Sequence, residues 1–138
     1  MTWTEAQKYC KENHTDLATI DDQMDYDELL ETVPKDFKGE MWIGLYREDA
    51  NAAWIWSDQS KSTFRLWGSG QPNNYGGKQF CMGTSLAGKW NDLECPTKTA
   101  FICYTDRADT EGEGTHRRCK TFLENPIKWK CLPKEPEE

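Results

Sequence analysis

The chain has 138 residues, enough for one domain with a real core plus a short appendage and too few for two ordinary domains. Seven Trp, five Tyr and five Phe can build that core despite a mean hydropathy of -0.91. A net charge of -7, with no Lys/Arg block through the aromatic region, excludes a nucleic-acid partner, because phosphate recognition needs clustered positive charge.

Along the chain, Thr2 and Thr4 offer N-cap oxygens, and Glu5 stands three residues after Thr2. Trp3, Ala6, Tyr9 and Cys10 then recur at helical spacing, which predicts a first helix from about Thr4 to Asn13. Asn13-His14-Thr15 is a glycosylation sequon. Leu17, Ala18 and Ile20 make a short apolar bridge to a second helix, capped by Asp21 or Asp22, carrying Met24, Leu29, Leu30 and Val33 and stopped by Pro34. Its outer face is acidic (Asp21, Asp22, Asp25, Asp27, Glu28, Glu31) and reads as a solvated surface.

From Met41 the pattern changes to short apolar and aromatic runs. Strands are predicted over Met41 to Leu45, Ala53 to Trp56, Gln79 to Gly83, Lys89 to Leu93 and Thr99 to Cys103. Between Trp56 and Phe80 lies a long irregular segment rich in Ser, Gly, Asn, Gln and Pro, with Trp67 and Tyr75 interspersed. A loop of that length in a compact domain marks a place to look for binding. After Tyr104 the composition becomes linker-like, so the core is expected to end there. Residues 105–138 then form a linker and a basic tail, in which Cys119 and Cys131 bracket Phe122, Leu123, Ile127 and Trp129 and the basic residues, Lys120 among them, read as solvated.

Six cysteines, none in a Cys-x-x-Cys pair, suit a disulfide framework in an oxidising compartment better than a zinc or redox centre. The expected location is secreted or extracellular. No apolar run is long enough to span a bilayer, and no basic-then-apolar leader opens at Met1, which implies a removed leader or a fragment. Catalysis is not expected: there are two histidines, His14 and His116, neither beside a nucleophile, and no Gly-rich phosphate loop.

Taken in order, Trp3-Thr4-Glu5-Ala6 with Cys10, Trp42-Ile43-Gly44-Leu45, Gln71-Pro72-Asn73, Trp90-Asn91-Asp92, Cys95 and Phe101-Ile102-Cys103 resemble a C-type lectin-like domain over residues 2–104. The resemblance implies an α+β fold with two helices flanking two small antiparallel sheets and a long loop region. It also implies disulfides Cys10–Cys103 and Cys81–Cys95, which leaves Cys119 with Cys131. Family members usually open with a strand before the first helix. With that strand absent here, the strand ending at Cys103 would show an open edge, to be covered by the Thr121 to Leu132 segment or by a neighbouring chain through self-association.

In sugar-binding members of the family one calcium ion is held at positions that correspond here to Gln71, Asn73, Gln79, Asn91 and Asp92, of which only Asp92 is a carboxylate. Calcium needs roughly six to eight oxygens, and charged ligands set its affinity, so this site is expected to be weak or vestigial, with a dissociation constant of ~1 mM or weaker. Arg47, Asn51 and Phe80 stand where further acidic groups would be expected. Gln-Pro-Asn matches neither the mannose-associated Glu-Pro-Asn nor the galactose-associated Gln-Pro-Asp. Trp42 and Trp90 read as core. Trp67, Tyr75 and Phe80 divide between core and ligand contact, and Asn91 and Asp92 between metal ligation and hydrogen-bonding of the loop. The function implied is an extracellular recognition module for a glycan or glycoprotein with weak or absent calcium binding. The alternative is a calcium-independent module that recognises a protein, or ice.

Overall fold

A computed structural model describes residues 1–108 and 116–124. Helix α1 spans Trp3–Asn13. The Thr2 hydroxyl accepts from the Glu5 amide at 3.2 Å, and the Glu5 carboxylate accepts from the Thr2 amide at 3.1 Å. This reciprocal cap satisfies two otherwise orphaned donors and starts the helix one residue earlier than Thr4. Helix α2 spans Gln23–Glu31 and is capped by Asp22, whose carboxylate accepts from the Asp25 amide at 2.8 Å. Its buried residues are Tyr26 and Leu29, and Val33 is buried just beyond its end. Met24, expected on that face, is 71% exposed, because two residues along a helix turn a side chain about 200° away from Tyr26.

Seven strands follow: β1 Asp16–Leu17, β2 Met41–Tyr46, β3 Ile55–Trp56, β4 Cys81–Thr84, β5 Trp90–Leu93, β6 Ala100–Ala108 and β7 His116–Leu123. They form one mixed sheet in the order β1-β6-β2-β4-β5, with β3 paired to β2 and β7 to β6. The two small antiparallel sheets expected from the sequence are thus joined. The join is a parallel pairing that sets Met41 against Ala100 and Trp42 against Phe101. Trp42 and Phe101 are both fully buried in the same cluster, so the contact that fuses the sheets is also a core contact.

The core does not end near Tyr104. Strand β6 runs on to Ala108, and β7 pairs with it from Phe101 opposite Leu123 to Ala108 opposite His116. Phe122 and Leu123 are buried, one on each face of the sheet. Phe101 therefore has Trp42 on one edge and Leu123 on the other, so of the two covers expected for that edge, the tail and a neighbouring chain, the tail is the one the structure places there. Lys120, read from the sequence as solvated, is buried: its ammonium is hydrogen-bonded to the Asp25 carboxylate and lies 3.8 Å from Glu28, so part of the acidic face of α2 anchors the tail. The Cys119–Cys131 pairing lies outside the described residues.

Strand alternation deals side chains to two faces. On the α1 side Trp3, Ala6 and Cys10 meet Leu17, Trp42, Phe101, Cys103 and Leu123. On the α2 side Tyr26, Leu29 and Val33 meet Ile43, Leu45, Trp56, Trp90, Ile102 and Phe122. The Cys10–Cys103 disulfide ties α1 to β6 and Cys81–Cys95 ties β4 to the turn after β5, as the resemblance implied. Gly44 is required where it stands: its amide donates to the Ala18 carbonyl at 2.8 Å, and an added Cβ would sit 2.9 Å from that oxygen.

Candidate functional site

The segment from Ser57 to Phe80 has little regular structure, and its first half is pinned to the core. The Trp56 indole donates to the Ser62 carbonyl at 3.0 Å, and the Ser62 hydroxyl donates to the Ile20 carbonyl at 2.9 Å. Leu66 and Gly68 then exchange backbone hydrogen bonds with Trp90, at 2.9 and 2.7 Å. Phe64, Leu66 and Trp67 pack on the core as partly buried groups. Trp67 lies edge-on to Trp90, with ring centroids 6.2 Å apart, and beside Trp54 at 6.0 Å. Of its two readings, that position gives Trp67 a base for the loop to rest on.

The second half of the loop is organised by Asp92. The side chains of β5 alternate, and Trp90 and Asp92 are the buried pair. The Asp92 carboxylate accepts from the Asn73 amide at 3.1 Å through one oxygen and from the Asn74 amide at 2.7 Å through the other. Around this centre the loop closes on itself. The Asn74 side-chain oxygen accepts from the Gln79 amide at 2.8 Å, and the Tyr75 amide donates to the Gln79 side-chain oxygen at 2.9 Å and to that of Asn73 at 3.2 Å. Asn74 has φ 48° and is followed by Gly76 and Gly77 at φ 79° and 84°, left-handed backbone that Asn and Gly adopt at low cost. The Gln71–Pro72 peptide is cis. Tyr75, at the apex, is 77% exposed.

Arg47 completes the arrangement. It follows β2, and its backbone amide donates to the Phe80 carbonyl at 2.9 Å. Its guanidinium lies 4.5 Å from the Trp54 ring centre and 5.8 Å from that of Phe80, and donates to the Ala50 carbonyl at 3.2 Å. One guanidinium nitrogen reaches within 3.9 Å of the Asp92 carboxylate, whose side chain is 0% exposed. The structure therefore brings Asn73, Gln79 and Asp92 together as the resemblance implied, with Tyr75 beside them. Asn91 is half-buried on the neighbouring position of β5, opposite Gly83, and the Gln71 side-chain oxygen is buried with no hydrogen-bond partner among the described residues.

These donors offer a calcium ion a single negative charge. Both oxygens of the one carboxylate already accept amide hydrogens, as do the side-chain oxygens of Asn73 and Gln79. Among the described residues no three His, Cys, Asp or Glu side chains converge. A cation bound at the usual 2.3–2.6 Å to the Asp92 oxygen nearer Arg47 would lie no further than about 6.5 Å from that guanidinium nitrogen, a repulsion on the order of 5 kcal/mol at an effective dielectric of about 20. Two participants were not singled out from the sequence: Trp54, the platform under Arg47, and Asn74. The Asn-Tyr-Gly-Gly run, typical of left-handed turns, is the signal that could have found Asn74.

A family model, the lectin C-type domain, matches residues 1–105. L-selectin of Rattus norvegicus is 32% identical over 133 residues, covering 91% of this chain and 35% of its own length. The chain thus spans about a third of the L-selectins it matches. Among solved structures, human lithostathine superposes with a TM-score of 0.63 at 28% identity, covering 72% of this chain and 80% of its own. A structure titled calcium-independent type II antifreeze protein does so at 0.61 and 28%, covering 70% and 72%.

Proposed function

Because the chain belongs to the C-type lectin domain family, we propose that it is an extracellular recognition module, without catalytic activity, that binds a glycan or glycoprotein through the loop face around Tyr75 and does so with weak or no dependence on calcium. Asn73, Tyr75, Gln79 and Asn91 would face the ligand together with Gln71, and Trp67 would back them. The observation that carries this reading is the state of Asp92: its carboxylate is committed to the amides of Asn73 and Asn74 and to Arg47 rather than left open toward a metal. Two disulfides support an oxidising, extracellular location. Among the described residues no helix is long and apolar enough to cross a membrane.

The test is thermal melting in EDTA and in ~10 mM calcium, with a glycan array under both conditions. A site with a dissociation constant of ~0.1 mM would be stabilised by ~2.7 kcal/mol at that concentration. The expected result is a stabilisation of no more than ~1.4 kcal/mol, that of a site with a dissociation constant of ~1 mM or weaker, and a glycan signal that survives the chelator. A large shift with chelator-sensitive binding would overturn the reading.

A second reading, calcium-independent recognition of a protein surface or of ice, is favoured by the likeness to the antifreeze structure. Arrays blank in both buffers, followed by thermal hysteresis at millimolar protein or by capture of a defined protein ligand, would select it.

A further inference from the structure

We propose that Arg47 is a positioning residue that serves as the loop's permanent cation: its guanidinium compensates the buried Asp92 carboxylate and so holds the Asn73–Gln79 turn, with Tyr75 at its apex, in one shape without a metal. The inference deepens the reading of this loop as the recognition face and rests on it.

Asp92 is buried, and a buried carboxylate is costly unless paired and hydrogen-bonded. Two loop amides supply the hydrogen bonds and Arg47 supplies the opposite charge. A guanidinium is covalently part of the chain, so this compensation needs no ion taken up from solution. Arg47 is itself held from several directions: the Trp54 face at 4.5 Å, the Ala50 carbonyl at 3.2 Å and the Gln79 carbonyl within 3.5 Å. Its side chain is only 11% exposed. One group thus touches the strand end, the centre of the site and the far end of the turn. From Asp92 the hydrogen bonds pass through Asn74 to Gln79 and from Gln79 to the Tyr75 amide, so the placement of the exposed ring follows from the charge beneath it.

Hydrogen exchange of the Asn73 and Asn74 amides in wild type, Arg47→Gln, Arg47→Lys, Asp92→Asn and the double variant Arg47→Gln/Asp92→Asn tests the proposal. Arg47→Gln should speed exchange at both amides at least tenfold while Ile43 and Ile102, in the core, keep wild-type protection. Arg47→Lys should restore part of the protection, and Arg47→Gln should add little once Asp92 is Asn. Unchanged exchange in Arg47→Gln, equal behaviour of the Gln and Lys variants, or additive effects in the double variant would overturn it. Should Arg47→Gln alone fail to fold, the double variant compared with Asp92→Asn still decides, because a large further loss of protection on removing Arg47 where no carboxylate remains contradicts charge compensation. Calcium-dependent melting of the wild type would instead count against the proposed function, and is read separately.

Discussion

Trp90 and Asp92 stand two residues apart on β5 with their side chains turned to the same buried side, and they anchor different parts of the molecule by different physics. Trp90 is met edge-on by Tyr26, Trp56, Phe64 and Trp67, with centroids 5.9 to 6.2 Å apart, drawn from α2, β3 and the loop. Its contribution is apolar area and ring geometry, shared among many contacts and insensitive to salt. Asp92 is met by two amides and a guanidinium, so the second half of the loop rests on a single ionised group. Packing spreads its load, whereas the charge concentrates it. The half of the loop proposed as the recognition face can therefore be perturbed by one substitution that leaves the fold standing.

The largest effect should come from Trp90→Ala, expected to destabilise the whole domain by about 3–5 kcal/mol. Denaturation followed by far-UV circular dichroism checks it, and a loss confined to the loop would erase the contrast. Asp92→Ala comes next, at about 2–3 kcal/mol, since it removes two charge-assisted hydrogen bonds and leaves Arg47 without its carboxylate. Protease cleavage between residues 71 and 79 should rise well before the core melts; simultaneous loss of loop and core would show that the two regions are one unit. Tyr75→Ala should change stability by less than about 0.5 kcal/mol, yet weaken binding to any glycan found on the array about tenfold, the size of an aromatic contact. Unaltered affinity would remove Tyr75 from the ligand face.

The smallest effect concerns Glu40, a partly buried carboxylate with no cation paired to it among the described residues. One of its oxygens is buried without a hydrogen-bond partner among the described residues, and burial pushes its pKa above the ordinary value. The folded protein then binds the Glu40 proton more tightly than the unfolded chain. Its ionisation lowers stability as pH rises through that range, and the penalty vanishes below the ordinary glutamate value near 4.5. Glu40→Gln should accordingly raise the melting temperature at pH 7, with the gain fading toward pH 4. A gain that persists undiminished in acid would point to packing rather than charge.

Much of this architecture was legible in the sequence because its signals are local. The Thr2/Glu5 pair capped α1, Asp22 capped α2, and alternating apolar runs marked β2, β4, β5 and the start of β6. The ordered motifs placed Asn73, Gln79 and Asp92 at one site, and the substitution of amides for carboxylates was visible as composition. Other features were hidden because they depend on partners far along the chain. The burial of Lys120 needs Asp25, 95 positions away, and nothing in a run of Arg, Lys and Cys marks one lysine for the interior. Likewise β7 sits in a polar stretch whose few apolar residues become core only once β6 supplies a ladder for them.

The sequence by itself determined the family pattern, the two helices, the pairing of Cys10 with Cys103 and of Cys81 with Cys95 that the pattern implies, and the shortage of negative charge in the loop. Only the tertiary structure decided that the sheet is continuous, that the tail rather than a neighbouring chain lies along its edge, and where the Arg47 charge comes to rest. The reason is the range of the forces involved. Capping and periodicity act over three or four residues, while the pairing of Arg47 with Asp92 joins groups 45 positions apart whose meeting depends on the register of β2, β4 and β5 across the sheet.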